Sequence, residues 1–154
     1  MPLVLKWGPR VARVVLGLIF VVFGLNYFLG FLGANPPPPE RAAPFILGLV
    51  SAGYVFPVIK AIEVACGLAL LGNRFVPLAL TLLAPIIVNI AAVHILLVPM
   101  YPMAIVLLSL EIYLAWAYRG AFAPMLQARV APAGASSDDA SGARVPGGAS
   151  VESA

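Results

Sequence analysis

An apolar stretch near the start of the chain constrains the fold most. From Arg10 to about Gly33 the sequence reads RVARVVLGLIFVVFGLNYFLGFLG. This is long enough to cross about 30 Å of hydrocarbon, because a transmembrane helix needs roughly 20 residues. A signal peptide is the alternative interpretation, but the run is longer than a typical apolar signal core and lacks a clear cleavage motif. We therefore expect a retained membrane-spanning helix over residues 10–33.

Further apolar segments follow and are separated by turns. A run of four prolines at 36–39 cannot continue a helix. The apolar segment 44–53 after it is too short to span and predicts an interfacial or re-entrant helix. Three more spans are expected over about 54–71, 75–98 and 102–119, with Pro85 predicting a kink inside the third span. The expected organisation is a cytoplasmic N-terminus (1–9), a four-helix membrane domain (10–122) and a disordered cytoplasmic tail (130–154).

Composition supports a lipid environment and excludes several functions. Hydrophobic residues make up 62% of the chain and charged residues 10%, whereas soluble domains are about 25% charged. The fold class is therefore an all-α integral membrane protein, a four-transmembrane-helix bundle with a short interfacial helix between the first and second spans. The sequence has no basic stripe with interleaved aromatic residues, so nucleic acid binding is not expected. One cysteine, Cys66, excludes a CxxC pair, and one histidine excludes bis-histidine haem ligation; no metal-ligand spacing is present.

The basic residues predict the orientation, since cytoplasmic flanks carry more Lys and Arg. With the N-terminus inside, the cytoplasmic segments hold most of the basic residues, and the outer loops hold only Arg41, next to Glu40. The inner set is Lys6, Arg10, Arg13, Arg74, Arg119 and Arg129. We therefore expect a multi-pass protein of the cytoplasmic (inner) membrane with both termini in the cytoplasm.

Every predicted span carries a polar residue at a similar depth. The six residues are Asn26, Lys60, Glu63, Asn89, His94 and Glu111. Counting about 1.5 Å per residue from the span ends places them in the outer half of the bilayer. A charge in the bilayer centre costs about 2.5–3.5 kcal/mol on insertion scales, so it needs a partner or a purpose. These six residues are the candidate polar pocket or ligand-binding site; no catalytic residue can be named.

A purely structural role for these residues stays open. Lys60, Glu63 and Gly67 share one helix face, so the lysine and the glutamate can neutralise each other. Asn26 and Asn89 can act as interhelical hydrogen-bond donors and acceptors. Two carboxylates and one lysine do not balance, however, so one carboxylate must be protonated, paired with His94 or hydrated. Such an imbalance is typical of ligand-binding or proton-coupled sites.

Small residues also repeat along two of the spans. Gly17 and Gly24 lie on one face of the first span, and Ala61, Ala65 and Ala69 lie on one face of the second. Both stripes predict close helix packing of the small-xxx-small kind.

Three segments resemble the DoxX family of bacterial and archaeal membrane proteins. They are ARVVLGLIFVVFGLNYF at 12–28, SAGYVFPVIKAIEVACGLALLGNRFVPLAL at 51–80 and APIIVNIAAVHILL at 84–97. The resemblance covers residues 10–122 and implies a four-helix bundle. It also implies a link to membrane redox assemblies, since the namesakes are small subunits of a thiosulfate:quinone oxidoreductase. Asn26, Lys60, Glu63, Asn89 and His94 would then belong to the shared polar core.

Three functions follow as hypotheses. The first is a redox-associated membrane subunit whose polar pocket contacts quinone, the one cofactor suggested, with membrane or soluble redox subunits as partners. The second is a non-catalytic scaffold that docks partner subunits or forms a homo-oligomer in the lipid bilayer. The third is a small-solute or proton-coupled transporter, although four spans are few for that function. The sequence does not decide whether the protein is an enzyme.

Overall fold

The structure, a computed structural model, describes residues 2–33, 37–98 and 100–128. These residues form helices and turns, with no β-strand among them. The helices are α1 (Pro2–Leu29), α2 (Ala43–Ser51), α3 (Val55–Leu71), α4 (Val76–Ala92), α5 (Tyr101–Ala117) and α6 (Arg119–Phe122). A π turn, Val93–Leu97, extends α4 directly. The tail predicted to be disordered, 130–154, lies outside the described residues.

The chain divides into two compact units, Met1–Phe122 and Ala123–Ala154. The first contains α1 to α6. Within the second, the structure describes one 3-10 turn, Ala123–Leu126.

Two helical stretches in the described residues are long and apolar enough to cross a membrane by themselves. They are Trp7–Leu29, with 23 residues, and Val76–Leu97, with 22 residues. The number rises to four if each of two bent helix pairs forms one span. One pair is α2 with α3, bent by 91°, and the other is α5 with the short helical stretch after it. These helices indicate a membrane protein.

The distribution of side chains is the reverse of that in a soluble protein. In mid-helix, Val88 is 59% exposed and Ile112 is 66% exposed. By contrast, Glu63 is only 2% exposed and Glu111 only 8%. Apolar surface of this extent needs an apolar surrounding, whereas charged groups are protected inside the helix cluster. The arrangement therefore suits lipid as the solvent.

Helix α1 differs from the expected first span at both ends. It begins at Pro2 instead of near Arg10, so part of the expected N-terminal segment is helical. It ends at Leu29, because Gly30 follows with a φ of +64°, a left-handed conformation that glycine adopts without a Cβ penalty. Helices α3 and α5, and α4 together with its π turn, begin and end within a few residues of the expected spans, and Pro85 lies inside α4 as expected.

The short apolar segment between the first two spans is helical, as expected. Helix α2 meets α3 at an angle of 91°. The chain turns between them at Gly53, whose φ is +75°. Nothing in the geometry fixes α2 at a membrane interface, so that placement stays a prediction.

Along the α1–α3 seam, glycines bring the two helix backbones into close contact. A Cβ atom added to Gly67 would lie 2.9 Å from the carbonyl oxygen of Gly17 and 3.0 Å from the backbone nitrogen of Val21. One added to Gly24 would lie 2.6 Å from Val64 Cγ2. Gly17 of α1 meets Gly67 of α3, and Gly24, further along α1, meets Val64, which comes earlier in α3. The two helices are therefore antiparallel. The packing predicted for the glycines of α1 is confirmed.

The alanine stripe of α3 does not pack as predicted. Ala61 and Ala65 are exposed, and Ala69 is half-buried. The glycine face of α3 is the one that meets α1, and it turns this alanine face away from that contact. The prediction of close packing at Ala61 and Ala65 is therefore wrong for the described chain.

Candidate ligand cavity beside helix α2

A cavity of about 360 Å³ opens between α2, α3, α4 and the π turn. Most of its wall is apolar and includes Phe45 of α2, Phe56 of α3 and Ile86 of α4. Its size and apolar character lie within the range of small-molecule sites, which usually combine apolar walls with a few polar groups. We call it the α2 cavity.

Four of the six predicted site residues line this cavity. They are Lys60 and Glu63 of α3, Asn89 of α4 and His94 of the π turn. The Pro2–Leu29 helix and α5 contribute no lining residue. The expected layer of polar groups therefore separates into a cluster of four in this cavity and two residues elsewhere.

Lys60 and Glu63 form an ion pair in the wall of the cavity. Lys60 Nζ donates to Glu63 Oε2 over 2.7 Å. The Glu63 side chain is 3% exposed, and that of Lys60 is 19% exposed. A lysine ammonium has three donors, so two remain after this bond. The pair neutralises the buried carboxylate and keeps donor capacity at the cavity.

His94 is anchored to its own helix through one ring nitrogen. Its Nδ1 lies 2.8 Å from the carbonyl oxygen of Ile90, one turn earlier. The π turn that holds it closes with a bond from the Val98 amide to the Val93 carbonyl, over 2.9 Å. Such π segments in longer helices are frequent at functional sites. The ring is thus fixed at the cavity wall.

Asn26 lies apart from the α2 cavity and stabilises the end of α1. Its side-chain Oδ1 accepts the backbone N–H of Leu32 over 2.7 Å, and its backbone carbonyl accepts the N–H of Gly30 over 2.8 Å. A buried side chain with a local backbone partner serves as a cap for the chain reversal. The sequence signal for it, an asparagine four residues before a glycine, is weak.

Glu111 also lies apart, in a second groove of about 240 Å³ between α4 and α5. Thr81 and Phe122 line the same groove. Glu111 Oε2 is buried and has no hydrogen-bond partner in the described part of the chain. Pairing with His94, one of the expected options, is not seen, because the two residues line different cavities.

Arg13 is a buried charge, whereas the sequence predicts it only as a basic residue of the inner flank. It is 9% exposed, and its Nε has no partner among the described residues. The signal was present in the periodicity: Arg13 precedes Leu16 by three positions and Phe20 by seven, and both are buried. It therefore shares the inward face of α1.

Comparison of the chain with protein-family models, with curated proteins and with solved structures finds no match in any of the three.

Proposed function

We propose that the chain is a DoxX-like integral membrane protein with four spans that binds a quinone-like, lipid-soluble ligand in the α2 cavity, as a subunit of a membrane redox assembly. The carrying observation is the cavity itself, which combines apolar walls with Lys60, Glu63, Asn89 and His94. A ligand with a polar ring and an apolar tail matches that combination. The three resembling segments described above support the family.

Four spans are supported by length as well as by composition. Helices α3 and α5 have 17 residues each, and at 1.5 Å per residue each extends about 26 Å. This is slightly less than the hydrocarbon thickness of about 30 Å. Flanking turns and interfacial aromatic residues make up such a difference in membrane helices.

The proposed orientation places the N-terminus of α1, the turn at Arg74 and the end of α5 in the cytoplasm. Two cation–π pairs support it: Arg10 lies 5.4 Å from the Trp7 ring, and Arg119 lies 4.7 Å from the Trp116 ring. Arginine and tryptophan together are typical of a membrane boundary, and arginine favours its cytoplasmic side.

Thiol labelling tests the orientation. Cys66 is buried, so we expect it not to react with the label, and one further cysteine can be introduced at a time. Repeating each labelling in a Cys66→Ser background controls for any reaction of Cys66. In intact cells, a membrane-impermeant maleimide should label Glu40→Cys but not Asn73→Cys, and permeabilisation should make both reactive. The reverse pattern would overturn the proposed orientation, and labelling of both in intact cells would contradict the single span proposed between them, α3.

Filling the cavity tests the ligand site. Ile86→Trp adds bulk inside the cavity, whereas Val88→Trp adds the same bulk on the exposed face of the same helix. The protein is purified from native membranes, and co-purified quinone is quantified by mass spectrometry. Ile86→Trp should remove most of the co-purified quinone, and Val88→Trp should leave its amount unchanged. Equal occupancy in both variants, or no quinone in the wild type after reconstitution with excess quinone, would refute the site.

A further inference from the structure

The hydrogen bond of His94 determines which ring nitrogen can face a ligand. The carbonyl oxygen of Ile90 can only accept, so the bond of 2.8 Å requires a proton on Nδ1. In a neutral imidazole the other nitrogen, Nε2, then carries no proton and is an acceptor. His94 lines the α2 cavity, and its Nδ1 edge is engaged with its own helix. The Nε2 edge is therefore the one available to the cavity.

The other polar side chains of the cavity differ from His94 in what they offer. Lys60 can only donate, and it has donors left after its 2.7 Å bond to Glu63. Glu63 accepts that bond, and Asn89 carries both a donor and an acceptor. A ligand that satisfies the whole cluster must accept a hydrogen bond beside Lys60 and donate one beside His94.

A quinone and its reduced form meet this requirement differently. The two carbonyl oxygens of a quinone can only accept, so one of them would face the lone pair of Nε2 without a hydrogen between them. Each hydroxyl of a hydroquinone both donates and accepts. A buried acceptor that is left unsatisfied weakens binding, and this is how a polar site rejects an analogue that lacks a hydroxyl.

We propose that the α2 cavity selects the hydroquinone form of its ligand, because His94 Nε2 accepts a hydrogen bond from one hydroxyl while Lys60 donates to the other. This inference rests on the proposed function, since it names the form of the ligand that the same cavity binds. His94 acts here as a binding residue that determines specificity. No bond is broken and no electron is transferred in this step.

The chain contains a single histidine, so ¹⁵N-histidine labelling reports on this one ring. Wild-type protein in lipid nanodiscs should show a protonated Nδ1 and an unprotonated Nε2. Addition of a short-chain hydroquinone should change the ¹⁵N chemical shift of Nε2 in the sense expected for an unprotonated nitrogen that begins to accept a hydrogen bond. The dimethyl ether of the same hydroquinone, which has no hydroxyl, should not. Protonation of both nitrogens, or of Nε2 alone, would overturn the inference without any substitution in the protein.

Binding measurements provide the second readout. The hydroquinone should bind about tenfold more tightly than its dimethyl ether or the matching quinone, the effect of one hydrogen bond in a buried site. His94→Phe should abolish that preference while keeping the affinity for the dimethyl ether, and His94→Gln, which retains an acceptor, should restore part of it. If all three ligands bind equally to the wild type, the inference fails and the proposed function stands. If none binds, both fail.

Discussion

The face of α3 that meets α1 is closed, whereas the face that it shares with α4 opens into the α2 cavity. On the closed face, Gly67 and Gly17 bring the two backbones so close that no Cβ fits between them. On the open face, Lys60 and Glu63 form an ion pair beside empty volume. Glycine contacts thus determine how α3 packs on α1, whereas the charges at the cavity form an ion pair within α3 itself. The closed face should be sensitive to volume, and the open face should be sensitive to the loss of a charge.

The largest effect is expected from Lys60→Met, which keeps most of the length of the side chain and removes its charge. Glu63, 2% exposed, would lose its cation. Removing one partner of a buried ion pair costs about 3–5 kcal/mol. The free energy of unfolding, measured by denaturant titration in mixed micelles, should fall by that amount.

The matched control combines Lys60→Met with Glu63→Met. Replacing both members of a buried pair by apolar residues is often neutral or stabilising, so the double variant should recover most of the loss. A double variant as unstable as Lys60→Met alone would show that the loss comes from changed packing and not from an unpaired carboxylate.

A smaller effect is expected from Gly67→Ala on the closed face. The new methyl group would meet the backbone of α1 at Gly17 and Val21, so the two helices must move apart. Overpacking of this kind costs about 1–3 kcal/mol. The same unfolding measurement checks it, and the quinone occupancy of the folded fraction should not change.

Gly48→Ala in α2 is the control for the loss of a glycine as such. A Cβ atom at Gly48 would have no neighbour within 4 Å. Alanine there should be neutral or should stabilise the protein by about 1 kcal/mol or less, through helix propensity alone. If Gly48→Ala and Gly67→Ala have the same effect, the close approach of α1 and α3 does not contribute to stability.

The sequence predicted helix order and most helix bounds because apolar length alone determines them. It also predicted that Lys60 and Glu63 share a face, since i and i+3 positions on a helix are neighbours. Counting residues along a span gives depth but not rotation about the helix axis. Glu111 was therefore placed at the depth of the cluster, although its face of α5 lines another groove. Asn26 is predicted in the cluster by its depth alone. Its actual role as a cap depends on the backbone conformation after the end of α1, which residue counting does not predict.

The smallest effect, neutral or of opposite sign, is expected for Glu111→Met, with Glu63→Met as its matched comparison. Glu63 has a cation 2.7 Å away, whereas Glu111 Oε2 has no hydrogen-bond partner among the described residues. Glu63→Met leaves the Lys60 ammonium without its carboxylate, although Lys60 is partly exposed and can extend towards water. The Glu111 carboxyl, by contrast, is a buried polar group without a partner among the described residues. Such a group opposes folding, so its removal is neutral or favourable.

Glu111→Met should therefore leave the free energy of unfolding unchanged or raise it by about 1 kcal/mol. Glu63→Met should lower it by about 1.5–3 kcal/mol, the usual contribution of a hydrogen bond to a charged group. Both variants are measured in the same micelles, with far-UV circular dichroism to verify helix content. A loss at Glu111 as large as that at Glu63 would mean that Glu111 gains a partner in the membrane, such as water, lipid or another chain. The contrast between a paired and an unpaired carboxyl would then disappear, and with it the argument that charge pairing is confined to the open face of α3.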